Sequence, residues 1–132
     1  LPPDDKITTE DNLLLNGGIQ NLLDLLCAIG SVTAYGTGSY IGVGTSTTAA
    51  AAANTALVTE LARKAATFSH TAGTKVFQFE ATFNAGEATG AITEAGVFNA
   101  ASAGTMLDRV VFAVINKGAD DTLTQRFTFT MS

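Results

Sequence analysis

The chain is predicted to be mainly β: an antiparallel β-sandwich with an N-terminal α-helix and an extended N-terminal arm. Three observations predict it. Lys75–Phe83 and Thr122–Ser132 alternate apolar and polar residues with a period of two, as half-buried antiparallel strands do. Ala91–Phe98 and Met106–Ile115 are apolar runs of strand length. The segments between them are rich in Gly, Ala, Ser and Asp, which favour turns. At 132 residues the chain is one domain, long enough to bury a core. It divides into an arm over residues 1–10 and a single domain over residues 11–132, whose helix covers about residues 12–28.

The elements follow in order. Pro2 and Pro3 disfavour helix, so the first residues read as an extended arm, free or laid on a neighbouring subunit. Leu14, Leu15, Gly18, Ile19, Leu22, Leu23 and Leu26 recur at helical spacing and give one wide apolar face. Thr8, Thr9 or Asp11 can cap that helix, and Gly30 is a natural stop. Gly17-Gly18 weakens it by about 1 kcal/mol per residue relative to Ala, which predicts a stable start at Gly18. From Ser31, SVTAYGTGSYIGVG reads as a strand, a tight turn at Gly36-Thr37-Gly38, and a second strand. TSTTAAAAA, residues 45–53, is predicted to be a loop because its alanines supply no amphipathic face. Asn54-Thr55 is then expected to cap a short helix or turn through Leu57 and Leu61.

The remaining segments are strands. Phe77, Phe79, Ala81 and Phe83 share one face of the first. Leu123, Gln125, Phe127, Phe129 and Met131 share one face of the last. Met106–Ile115 is apolar on both faces, with Val110, Phe112 and Val114 on one of them. It is therefore expected to be central in the sandwich or to lie against another subunit.

Charge and composition bound the partners. Only 14% of residues are charged, against about 25% in ordinary soluble domains. Part of the surface is therefore expected to be covered by other chains. The net charge is −5, and the seven Lys and Arg are scattered without a basic stripe, which argues against direct nucleic-acid binding. The longest apolar runs, Leu22–Ile29 and Val110–Ile115, are too short to span a membrane. The acidic start Leu1-Pro2-Pro3-Asp4-Asp5 does not read as a secretory leader. The single cysteine, Cys27, cannot form an internal disulfide. It reads as a small buried hydrophobe, with an inter-subunit disulfide as the sharper alternative.

Little in the sequence points to catalysis. His70 is the one histidine and falls in an expected exposed turn, and with a single His and a Cys27 read as buried a nucleophilic triad is not expected. The acidic doublets lack calcium-loop spacing, and zinc ligands are missing, so no metal and no cofactor is expected. Asp120-Asp121 reads as a turn. The glycines of GTGSYIGVGT match no phosphate-loop pattern. Glu60, Glu80, Glu87 and Glu94 are numerous enough for two-carboxylate glycosidase chemistry, but no Trp supplies a sugar platform. Glu94 stands out. In AITEAGVF it falls on a face expected to be buried, and a buried carboxylate needs a partner. Arg109 and Arg63 are the candidates for a structural ion pair that fixes the sandwich or its oligomer contact.

Several motifs come in a characteristic series: Ile41-Gly42-Val43-Gly44-Thr45, then Thr55-Ala56-Leu57 with Glu60 and Arg63, then Thr93-Glu94-Ala95-Gly96-Val97-Phe98. With GTMLDRVVFAVINKG they cover about three quarters of the chain, from Gly30 onward. The series resembles the N-terminal domain of bacteriophage tail-collar and tail-fibre proteins, and short stand-alone phage structural proteins. The resemblance implies a non-enzymatic virion assembly module with no catalytic residues. With Ser132 directly after the last strand, no shaft or receptor-binding tip is expected, which favours a compact accessory subunit over a fibre. The expected protein is thus a capsid decoration or cement subunit in the virion, assembled in the bacterial host. It would form a symmetric oligomer such as a trimer and contact the major capsid protein or tail proteins. A tail, baseplate or tail-fibre attachment subunit is the alternative, and a carbohydrate-binding module a remote one. Glu94, Arg109, Arg63, Val110, Phe112, Val114 and Ile7 are the expected structural and interface residues.

Overall fold

A computed structural model describes residues 14–27, 34–36 and 38–131. The predicted arm with Ile7, the start of the strand predicted from Ser31, the helix stop at Gly30 and the side-chain surroundings of Cys27 lie outside the described part; the described end of that predicted strand, Ala34-Tyr35, runs into a bend and is not a strand. Among the described residues, one helix, α1 (Asn16–Cys27), precedes seven strands: β1 (Tyr40–Gly44), β2 (Glu60–Ala65), β3 (Thr67–His70), β4 (Val76–Phe83), β5 (Gly90–Phe98), β6 (Met106–Lys117) and β7 (Leu123–Thr130). They form a four-stranded sheet of order β2-β1-β5-β6 and a three-stranded sheet of order β3-β4-β7, antiparallel throughout.

The alternation in β4 and β7 has the expected consequence. Phe79, Ala81, Phe83, Leu123, Phe127 and Phe129 are buried, while Gln78, Glu80, Thr82, Thr124, Arg126 and Thr128 form a half-exposed polar face. The buried set joins Ile41, Val43, Val97 and Val110 of the other sheet in one apolar cluster. Each Phe or Leu buried there is worth about 1.5–3 kcal/mol of transfer free energy. Phe77 stacks on Phe129 at 4.9 Å, and Phe79 meets Phe129 edge-on, the two preferred aromatic arrangements. Met131, expected on the same face, is exposed at the end of the strand.

Four expectations need correction. The helix starts at Asn16, not at Gly18, and keeps both glycines in its first turn. The reason is contact: a Cβ at Gly18 would stand 2.8 Å from the backbone of Leu107, so Gly18 lets the helix lie directly on β6. Only part of its apolar stripe is covered. Leu15 and Gly18 are buried and Leu22 packs against the core, whereas Ile19 and Leu23 are exposed.

Of the short helix or turn expected through Leu57 and Leu61, the structure has no helix: bends at Ala56 and Val58-Thr59 lead into a strand, β2, that already holds Leu61. Ala66 is the corner at which the chain passes from one sheet into β3 of the other, its N–H donating to the Ser39 carbonyl at 2.9 Å. Pairing with β1 (Ile41 opposite Lys64, Val43 opposite Ala62) overrides the helix propensity of ELARKA.

Of the two places expected for β6, the central one is not met: among the described strands it ends the four-stranded sheet. Its first residues, Met106–Val110, are buried on both faces, Asp108 and Arg109 among them. Leu107 and Val110 join the inter-sheet core, while Met106 packs with Leu15, Leu57 and Phe98 in a second cluster. Farther along, Ala113 and Val114 emerge to solvent. Finally, His70 closes β3 and precedes the turn, with Nδ1 2.8 Å from the Val76 carbonyl.

Candidate functional site: a buried ion pair beneath an uncharged ledge

The residues that drew attention in the sequence meet on the face of the four-stranded sheet that turns away from the inter-sheet core. Register shifts after Ile92 in the β5–β6 ladder, and Glu94 pairs with Val111 on one side and with Gly44 on the other. Across this face runs the segment Thr45–Thr59, which contains no charged residue.

Glu94 holds that segment. Its side chain and that of Arg109 are 0% exposed, and the two form an ion pair at 2.9 Å. Oε1 accepts from Val58 N at 3.0 Å and Arg109 Nε at 3.0 Å; Oε2 accepts from Thr59 N at 2.8 Å and Ser46 N at 3.3 Å. Arg109 completes the clamp with Nη1 to Asn54 Oδ1 at 3.1 Å and Nη2 to the Thr48 carbonyl at 2.9 Å. The Thr93 hydroxyl donates to the Ser46 carbonyl at 2.7 Å. Both ends of the ledge and its middle are thus fastened to two adjacent residues of β5 and one of β6. Taking two charges out of water is costly, and the cost is offset only when nearly every lone pair and proton is used, as it is here.

Three glycines make room. A Cβ at Gly44 would lie 2.3 Å from the Thr59 carbonyl oxygen and 2.5 Å from Glu94 Oε2. At Gly42 it would meet the Phe98 ring at 2.9 Å, and at Gly96 the Met106 sulfur at 2.8 Å. The Gly-x-Gly-Thr and Thr-Glu-x-Gly stretches are therefore two sides of one close contact.

Of the two arginines proposed for Glu94, Arg109 is the partner. Arg63 instead grips Glu60 through Nε at 2.8 Å and Nη2 at 2.7 Å, a bidentate pair. Its Nη1 donates to the carbonyls of Ala100 and Ala103, both at 3.0 Å, and its guanidinium lies 3.5 Å from the Phe98 ring centre. Arg63 thereby ties β2 to the turn between β5 and β6. Val110 is buried in the inter-sheet core, Phe112 packs partly against it, and Val114 is 53% exposed. Ile7 lies outside the described residues. Asn54, which the sequence offered only as a cap, proves to be a ligand of Arg109. Its place between an Ala run and Thr-Ala-Leu gave no sign of that role.

The arrangement holds a loop and offers no reacting group. A carboxylate saturated with donors and closed to solvent has no free lone pair for a substrate. Each of the four glutamates considered for two-carboxylate chemistry is engaged by a cation: Glu60 by Arg63, Glu80 by Arg126 at 2.6 Å, Glu87 by Lys64 at 2.6 Å, and Glu94 by Arg109. The hydrogen bond from Lys64, with a second from Asn84 N, holds the exposed Glu87 carboxyl below its ordinary pKa. Ser69 and His70 line a cavity of about 270 Å³ at the β3–β4 turn, yet they are consecutive on a strand and so point to opposite faces. Among the described residues, no group of three or more His, Cys, Asp or Glu is placed to hold a metal ion. No described helix is long and apolar enough to cross a membrane. Compared with models of known protein families and with curated proteins, the chain matches none.

Proposed function

We propose that this chain is a non-enzymatic bacteriophage virion structural protein, a small capsid decoration or cement subunit that works as a symmetric oligomer. The observation that carries the reading is the convergence of the resemblance motifs. Gly42, Gly44, Leu57, Glu60, Arg63, Glu94, Gly96 and Phe98 come from three separated stretches, and each packs on or bonds to another of the set. Together they present one rigid, uncharged ledge. A ledge fastened in advance loses little conformational entropy when another chain covers it, which suits an assembly module.

In this reading the two sheets are the halves of a β-sandwich, with α1 at one end and the first residues as an arm. Contacts to other copies and to the capsid run through the Thr45–Thr59 ledge, the threonine-lined outer face of β4 and β7, and the exposed Val114 side chain. The scarcity of charge favours such coverage. Tail, baseplate or fibre-attachment subunits share the same motif resemblance, and copy number separates the two roles. Quantitative mass spectrometry of purified particles would measure this chain against the major capsid protein. Abundance comparable to the capsid protein supports decoration. A few copies per particle moves the protein to the tail, and absence from particles ends the virion reading.

A further inference from the structure

The turn between β6 and β7 carries an inference that is independent of the virion reading. A cavity of about 250 Å³ lies beside the end of β6 and the start of β7, lined by Ile115, Asn116, Lys117, Asp121, Thr122 and Leu123. Ile115 and Leu123 give it an apolar wall, since Ile115 packs against the core and Leu123 belongs to it. Lys117 is the unusual member. It is 4% exposed, and a lysine is almost never so deeply buried unless its charge is paired. Among the described residues its Nζ has one hydrogen-bond partner, the Asn84 carbonyl at 3.0 Å, and it forms no ion pair. Glu87, on the adjoining loop, is already taken by Lys64 Nζ at 2.6 Å and Asn84 N at 2.7 Å. A lysine ammonium carries three donors, so two are left unused, and a buried charge without a counter-charge is costly. The exposed lining is unused as well. Asp121 Oδ2 accepts from Gly118 N at 2.7 Å, while its other oxygen, the Asn116 amide and the Thr122 hydroxyl make no hydrogen bond among the described residues.

We propose that this cavity binds a small zwitterionic α-amino acid, with the ligand carboxylate on the Lys117 ammonium and the ligand ammonium on the Asp121 carboxylate. The buried cation calls for an anionic group. The exposed Asp121 carboxylate, on a chain of net charge −5, repels a multiply charged anion such as phosphate and favours a ligand that brings a cation of its own. At about 250 Å³ the cavity lies just below the range of about 300–1,000 Å³ that holds drug-sized ligands, so the ligand is small. The wall made by Ile115 and Leu123 suits a short aliphatic side chain, as in valine. The Asn116 amide and the Thr122 hydroxyl are the remaining polar groups of the lining and serve to orient the bound molecule.

The test is an amide NMR titration of the full chain with four probes: L-valine, isobutyrate, isobutylamine and inorganic phosphate. Isobutyrate lacks the ammonium group and isobutylamine the carboxylate. L-Valine is expected to shift the amides of Ile115–Leu123 saturably, and to do so about tenfold more tightly than any of the other three, since each lacks one charge pair or meets Asp121 with repulsion. Lys117→Met should weaken valine binding about tenfold. Asp121→Asn, which keeps an acceptor for Gly118 N, should weaken it by about threefold to tenfold. Absence of saturable shifts with valine would overturn the proposal and leave Lys117 as a fastener of the Asn84 carbonyl alone. Isobutyrate or phosphate binding as tightly as valine would overturn the zwitterion assignment. Should Lys117→Met fold poorly, the parent titrations and Asp121→Asn still decide: valine affinity unchanged by Asp121→Asn would count against the site.

Discussion

Replacing Glu94 by Gln tests the central claim about the ledge. The substitution keeps the shape and removes one negative charge. It also turns one of two saturated acceptors into an NH2 group. If the amide nitrogen takes the Oε2 position it faces the N–H groups of Thr59 and Ser46; if it takes the Oε1 position it faces Val58 N and the Arg109 guanidinium. Either way two donors confront a donor, and Arg109, itself fully buried, loses its counter-charge. Breaking one side of a buried pair costs about 3–5 kcal/mol. At roughly 3–5 °C per kcal/mol for a chain of this size, the melting temperature should fall by roughly 9–25 °C. Thermal unfolding followed by circular dichroism measures it. Limited proteolysis should at the same time show new cleavage between Thr45 and Thr59, since the clamp on that segment is released. A melting temperature within about 2 °C of the parent, with the ledge still resistant, would refute the view that the ion pair secures it. A double-mutant cycle with Arg109→Met isolates the coupling of the pair from the separate bonds Arg109 makes to Asn54 and Thr48.

Three further outcomes are expected. Gly44→Ala should cost about 1–3 kcal/mol in chemical denaturation, because its neighbours are a backbone carbonyl and a buried carboxylate that cannot step aside. Gly36→Ala, where a Cβ meets nothing within 4 Å, should stay within about 0.5 kcal/mol of the parent. Gln125 is fully buried on the core face of β7, and among the described residues neither polar atom of its amide has a hydrogen-bond partner; Gln125→Leu should raise stability by about 1–3 kcal/mol, read as a higher denaturation midpoint. The Glu87 carboxyl should titrate below the ordinary glutamate range by carbon NMR. Its stabilising contribution is complete above the unfolded-state pKa and is lost as pH falls through the lower folded-state value. Lys64→Met should return the titration toward the ordinary position.

The clearest sequence signals were those in which one face of a strand is wet and the other dry. The period-two pattern of β4 and β7 is visible because burial alternates along them, and the turn at Asp120-Asp121 because Asp121 Oδ2 accepts from Gly118 N. Glu94 stood out as a carboxylate among apolar neighbours, and its need for a cation follows from desolvation. Its choice of Arg109 over Arg63 did not follow from spacing. That choice depends on β6 lying beside β5 with Gly96 opposite Arg109, a pairing between strands.

β2 and β3 were obscured for a related reason. Ala, Leu, Arg, Lys and Glu favour helix locally, but residues 60–70 are recruited as edge strands of two different sheets, with the corner at Ala66. The edge position of β6 was hidden because its first half is covered on both faces, one of them by Leu57 and Leu15 from remote parts of the chain. By itself, then, the sequence determined what depends on neighbours in the chain: the strand alternations, the turns, the helix stripe and the presence of a carboxylate in need of a partner. Only the tertiary structure decided which cation meets that carboxylate, why Gly42, Gly44 and Gly96 must lack side chains, and which strands end the sheets. Those outcomes rest on contacts between segments far apart in sequence, whose energy appears only once the sheets have formed.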